Sequence, residues 1–292
     1  MAVFFLAAVL AAGNALAAGP PKVFVSILPQ KYFVEQIAGE KVSVEVMVQP
    51  GASPATYEPK PSQMRKLAGA AAYFSIGVPF ENAWLERITR MNPDMILVRT
   101  DEGIEKMAMG THRCHGHNDG HDHGRAHGHK GLDPHIWLAA ELVKAQVGTI
   151  RKTLIRLFPA HQAAFQANGD AFMGKIDQVD AAIKDLLRDR AGMKFMVFHP
   201  SWGYFARAYG LEQLPIEVEG KDPKPARLKE LIRLARSEKI RIIFAQPQFS
   251  TKSAELLAQA IDGKVLLIDP LAEDWLSNMR DAARKFQEII HR

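Results

Sequence analysis

"AHQAAFQANGDAFMGKIDQVDAAIKDLLRD", residues 160–189, decides how the rest of the chain is organised. Its apolar residues Phe165, Phe172, Ile176, Val179, Ile183 and Leu187 recur every three, four or seven positions, which draws one stripe along a helix. Pro159 stands just before it and suits a first helical turn, where a missing N–H costs nothing. At ~1.5 Å per residue, thirty residues span about 45 Å. That is long enough to lie beside two lobes as a spine. A second helical stretch, 139–157, precedes it.

Outward from this helix, both flanks alternate strand-like and helix-like runs. On the N-terminal side, "KVFVSI" (22–27), "VSVEVMV" (42–48), "AAYFSI" (71–76) and "MILV" (95–98) read as strands. Helices are expected from Gln30, Pro61 and Glu81. On the C-terminal side, "KFMVF" (194–198), "LPIEV" (214–218), "IRIIFA" (240–245) and "VLLI" (265–268) read as strands. Helices are expected after Lys224, after Thr251 and from Ala272 onward. Such alternation implies mostly parallel sheets flanked by helices. The expected fold is α/β: an N-terminal lobe over 21–158, a linking helix over 159–190 and a C-terminal lobe over 191–292.

The chain has 292 residues, 47% hydrophobic and 24% charged, enough for a large core. Its formal charge of +5 is spread along the chain, without the dense basic tract that nucleic-acid binding would require. The opening "MAVFFLAAVLAAGNALAAG" is apolar and then small, and Ala15-Leu16-Ala17 fits a signal-peptidase site. Residues 1–18 are therefore expected to be a signal peptide, although no positive residue precedes the apolar run. The single cysteine, Cys114, permits no disulfide within a monomer. No cysteine follows the signal, so the expectation is an exported protein of the periplasm without a lipid anchor.

In open parallel sheets, ligands bind beyond the carboxyl ends of the strands. His199 directly follows "KFMVF", and Asp269 directly follows "VLLI". His135 lies in "LDPHIW", where Asp133 and Pro134 suit a helix start. Two imidazoles and a carboxylate from three segments would suit Zn²⁺. Each residue alone is equally at home in an ordinary turn.

"GASPATYEPKPSQ" (51–63), "DPHIWLA" (133–139), "FHPSWGYFARAYGL" (198–211), "EGKDPKP" (219–225) and "IDPLAEDWLSNMR" (268–280) together resemble the cluster A-I solute-binding proteins. These deliver metal to ABC importers, and the likeness is to the zinc branch (ZnuA-type). It covers nearly all of the expected mature chain, in order. The resemblance implies two α/β lobes joined by a rigid helix, metal between the lobes, and a membrane permease as partner. It also implies ligand positions at His135, His199 and Asp269. An imidazole at 199 favours zinc over manganese, with Mn²⁺ and Ni²⁺ as lesser alternatives. The family's first histidine falls on Ala55, where "PHTYEP" becomes "PATYEP". A methyl group cannot ligate a cation. An introduced substitution, a natural variant with water in the gap, or a borrowed histidine would each account for it. The intact flanking residues favour the first two, and Glu58 is a weaker substitute.

Residues 111–130, "THRCHGHNDGHDHGRAHGHK", hold seven of the eleven histidines: His112, His115, His117, His121, His123, His127 and His129. The run is aperiodic and glycine-rich, and reads as a disordered loop. It can collect divalent ions, but ordering it costs about 1–2 kcal/mol per residue in backbone entropy. A preformed cleft should therefore bind more tightly, leaving the run an accessory role. Three functions follow from these residues. The first is a monomeric zinc carrier of an ABC importer. The second is a zinc metalloenzyme with an open position, using Glu58, Glu217 or Glu219 as base. The third is a metal buffer acting through the loop.

Overall fold

The computed structural model describes residues 19–109, 131–218 and 220–288. The N-terminal half begins with β1 (Lys22–Val25), α1 (Leu28–Ala38) and β2 (Ser43–Val46). It continues with α2 (Pro61–Leu67), β3 (Ala70–Ser75), α3 (Pro79–Met91) and β4 (Ile96–Arg99). Two helices follow, α4 (Ala140–Leu157) and α5 (Gln162–Leu186). The C-terminal half runs β5 (Lys194–Val197), α6 (Gly203–Ala208), β6 (Glu212–Pro215), α7 (Pro225–Ser237), β7 (Ile242–Ala245), α8 (Lys252–Ala260), β8 (Lys264–Leu267) and α9 (Trp275–Gln287).

Each half forms a parallel four-stranded sheet, ordered β2-β1-β3-β4 and β6-β5-β7-β8. The second order repeats the first. In each sheet the direction of strand addition reverses beside its first strand, between β1 and β3 or between β5 and β7. Such a reversal opens a crevice at the carboxyl edge, because the connections on either side leave towards opposite faces.

The helix α5 carries its stripe inward. Phe165, Phe172, Ile176, Val179 and Ile183 are all buried, each worth roughly 1.5–3 kcal/mol against exposure. The helix packs on α1, α4 and α9, so it lies against both halves. Phe172 meets Tyr32 and Phe33 of α1 at ring-centroid distances of 5.9 and 6.0 Å. Phe33 in turn meets Trp275 of α9 edge-on at 5.8 Å. One hydrophobic cluster therefore passes from the first sheet through α5 into the second. Polar bonds cross the same boundary: Trp137 Nε1 donates to the Pro270 carbonyl at 2.6 Å, and Trp275 Nε1 to that of Trp137 at 2.6 Å.

At the carboxyl edge of the first sheet, buried Glu81 accepts from the backbone N–H groups of Ile76 (3.0 Å) and Gly77 (2.7 Å), and from the Ser26 hydroxyl. Burial pushes its carboxyl above the usual range. These bonds fix the turn leading to Val78 and Pro79. Gly77 at φ +84° makes that turn possible; a Cβ there would stand 2.2 Å from Lys106 Nζ.

Most strands fall where the alternation predicts. The apolar run 214–218 does not: its strand is Glu212–Pro215. Pro215 has no N–H to continue a ladder, and β6 is an edge strand where a terminal proline is tolerated. The short helix α6 is absent from the sequence-based expectation. The structure begins α1 and α3 at Leu28 and Pro79, each two residues before the expected start, and α9 at Trp275, three residues after it. The expected signal peptide and the histidine run lie outside the described residues.

Candidate metal centre

His199 sits two residues past β5, beside the strand reversal of the second sheet. Its backbone is clamped by Gln246, the residue after β7. Gln246 Oε1 accepts the His199 N–H at 3.1 Å, and its Nε2 donates to the His199 carbonyl at 2.7 Å. Gln246 is fully buried, so the clamp is shielded from water. The His199 ring stacks on Phe249, centroids 5.0 Å apart. Its Nδ1 lies 2.8 Å from Glu217 Oε1.

His135 enters from the other side. It caps a short 3-10 turn (Ile136–Leu138) rather than α4 itself, which starts only at Ala140. Asp133 Oδ1 accepts both the His135 backbone N–H (2.9 Å) and the bond at Nδ1 (2.7 Å). Tyr204 of α6 donates its hydroxyl to the Asp133 carbonyl at 3.0 Å, which ties this turn to the C-terminal half.

The two imidazoles meet across the cleft with centroids 5.2 Å apart and planes at 70°. Each has a carboxylate at Nδ1. That partner favours the tautomer with the proton on Nδ1 and leaves Nε2 as a lone-pair donor. Glu217 Oε2 is buried and has no hydrogen-bond partner among the described residues.

His135 is buried, and burial pushes its pKa below the ordinary 6.5 despite the pull of Asp133. Its unfolded form takes a proton near 6.5 while the folded form does not. The stability this contributes is complete above 6.5 and is lost as pH falls through that value. Denaturant titration of the metal-free protein is expected to show a midpoint that declines below about pH 6.5. The slope reaches up to about 1.4 kcal/mol per pH unit while only the unfolded chain binds the proton. In His135→Asn the decline should be visibly shallower.

Asp269 stands elsewhere in the crevice. It lines a neighbouring cavity with Gln49, Gly51 and Glu273, not the chamber between the imidazoles. Its Oδ1 accepts from Gln248 Nε2 (2.8 Å) and from the Leu271 N–H (2.8 Å). Strand β7 separates β8 from β5, so the two strand ends lie roughly 9–10 Å apart. Ala55 is exposed and lines the chamber beside the imidazoles. Among the described residues, no three His, Cys, Asp or Glu side chains stand together as a ready cage for a metal. His112, His115, His117, His121, His123, His127 and His129 lie outside the described residues.

Sequence reasoning missed Asp133 and Glu217 as partners of the imidazoles, and Gln246 as the clamp. Asp133 could be found from its place two residues before His135. Glu217 and Gln246 follow the ends of other strands, and only the pairing of β6, β5 and β7 brings them to His199.

Residues 23–289 match the family described as ZnuA, zinc-uptake complex component A periplasmic. Among solved structures, a crystal structure of ZnuA is 40% identical, with a TM-score of 0.84 over 92% of this chain and 99% of that one. A ZnuA deletion mutant with zinc bound is 41% identical, with a TM-score of 0.82 over 92% and 98% of the two chains. Zinc-binding protein AdcA of Streptococcus pyogenes is 25% identical over 281 residues, 93% of this chain and 54% of that protein. The chain thus spans about half the length of that streptococcal relative. By the extent of the family match and the agreement in fold, the chain belongs to the ZnuA family of periplasmic zinc-uptake components.

Proposed function

We infer that this chain captures Zn²⁺ between its two lobes in the periplasm and hands it to the membrane permease of an ABC importer. One observation carries the reading: two imidazoles, 5.2 Å apart and each engaged at Nδ1 by a carboxylate, line one chamber, so Nε2 is the ring nitrogen each has left to ligate. Nitrogen donors favour zinc over manganese, and the zinc-named relatives support the same cation. Asp269 is the proposed third ligand. With Oδ1 held by Gln248 and Leu271, Oδ2 is the oxygen left to ligate.

The chain is proposed to act as a monomer and to make or break no bond. Glu217, one candidate base for a metalloenzyme, is committed to His199 Nδ1. Glu58 is exposed, and Glu219 lies outside the described residues. Among the described residues no helix is long and apolar enough to cross a membrane. The continuous core and the Trp137–Pro270 and Trp275–Trp137 bonds favour release through small shifts of cleft loops over wide hinge opening.

The test is calorimetry with zinc on a chain lacking residues 112–129. One retained tight site is the expected result. Loss of all binding would transfer the function to the histidine run and make the protein a metal buffer.

Glu217 should matter to zinc without touching it. Glu217→Ala is expected to weaken zinc binding by about 10–100-fold, the usual effect of losing a carboxylate behind a metal-bound histidine. Glu217→Gln should fall between the two, since an amide oxygen still accepts from Nδ1 but brings no charge. A titration in which alanine and glutamine lose equally would assign the effect to charge rather than orientation.

A further inference from the structure

The chamber between the imidazoles has a volume of about 100 Å³. Its walls are mostly apolar, with Pro54, Val78, Pro79, Met109, Phe249 and Leu271, and its polar lining is the two imidazoles with Ser53 and Gln248. Ala55 lies at this chamber and is exposed, so the space opens to solvent there. Of that polar lining, Gln248 Oε1 is buried without a hydrogen-bond partner among the described residues. A cavity of about 150 Å³ accepts benzene; this smaller one suits a five-membered ring. Two nitrogen donors leave a tetrahedral cation short of ligands. Among the described residues, no third such donor is assembled with them.

We propose that this cleft takes its metal as a ternary complex, in which a small imidazole-class ligand from solution fills the chamber beside Ala55 and ligates the cation through a ring nitrogen. The ring buries its carbon edge against the prolines, Val78 and Phe249, and turns its ligating nitrogen towards the cation held by the two imidazoles. A carboxylate of similar size would place charge against those walls, where desolvation disfavours it. The proposal rests on the zinc reading above, and extends it by naming a co-ligand.

The probe is imidazole itself, at millimolar concentration and at a pH where the free base is neutral, with acetate as the comparison. Zinc affinity of the full chain is read by calorimetry. The coordination sphere is read from the visible spectrum of the cobalt-loaded chain, with the spectrum of His199→Ala subtracted so that only the cleft contributes. Losing even an outer partner of a metal ligand typically costs about 10–100-fold. Imidazole is therefore expected to raise zinc affinity by at least about tenfold, and to shift the cobalt spectrum with one-to-one saturation. Imidazole also binds zinc in bulk, so the measured rise is a lower bound. Acetate should do neither. In Ala55→His the side chain fills the chamber and imidazole should have no effect. In Ala55→Leu the chamber is filled without a donor, so imidazole should have no effect and affinity should stay low.

If zinc binds one-to-one but imidazole changes neither affinity nor spectrum, the co-ligand proposal is wrong and the zinc reading stands. An equal response to imidazole in Ala55→Leu also overturns the proposal, because the chamber would not be the place of binding. If His199→Ala binds zinc and cobalt as the unaltered chain does, with or without imidazole, the cleft reading itself fails.

Discussion

Replacing His199 with alanine is expected to abolish the single tight zinc site, weakening the cleft by more than about 100-fold. Outer partners of a metal ligand are worth about 10–100-fold, and His199 is proposed to supply one of two nitrogen donors directly. The side effects are separable. His199 is partly exposed, and its backbone clamp through Gln246 does not involve the ring. The fold should survive. Losing the ring strands the Glu217 carboxylate, whose Oε2 already has no partner among the described residues. That desolvated oxygen predicts a stability loss of about 1–3 kcal/mol. The measurement is zinc calorimetry on His199→Ala in a chain lacking 112–129, with circular dichroism to confirm folding. Undiminished one-to-one binding by the folded variant would move the site away from His199.

The sequence made the frame of this cleft legible and left its details hidden, for physical reasons that differ by residue. The α5 stripe was readable because a long helix repeats its signal over seven turns. Strand β5 and strand β8 were readable because short apolar runs end at a polar residue, and that placed His199 and Asp269 at a sheet edge. Strand β6 does not follow its apolar run, because Leu214, Pro215 and Ile216 are buried alike while the paired register ends at Pro215. That mismatch hid Glu217 inside a supposed strand, when it lies past the strand end like His199. Asp133 was read as a helix cap; it instead holds His135 at two atoms, a choice made by the 3-10 turn that follows. The turning of Asp269 towards Gln248 had no sequence signal, since side-chain direction past a strand end is set by the neighbouring loop. The closeness of the two imidazoles was not readable either. It depends on how two sheets are held together by residues as distant as Phe33 and Trp275.

Restoring a histidine at position 55 is expected to tighten zinc binding at least about tenfold, and by more if water alone now fills the gap. Ala55 lines the chamber that both imidazoles face, so a longer side chain there can reach the same space. The cost should be small, because Ala55 is exposed and its N–H donates to the neighbouring Ser53 Oγ at 3.3 Å, a bond that a different side chain leaves in place. An exposed position pays little for a larger side chain, and surface substitutions usually change stability by less than about 0.5 kcal/mol. The gain in affinity would then come from coordination and not from a stiffer protein. Competition against a chelator of known zinc affinity separates the two, with thermal unfolding of the metal-free chains as the control. A tighter isotherm with unchanged metal-free stability is the expected pair of results. An unchanged isotherm would mean that the side chain at 55 points to solvent, and that the cleft completes its zinc sphere with Asp269 and groups supplied from solution.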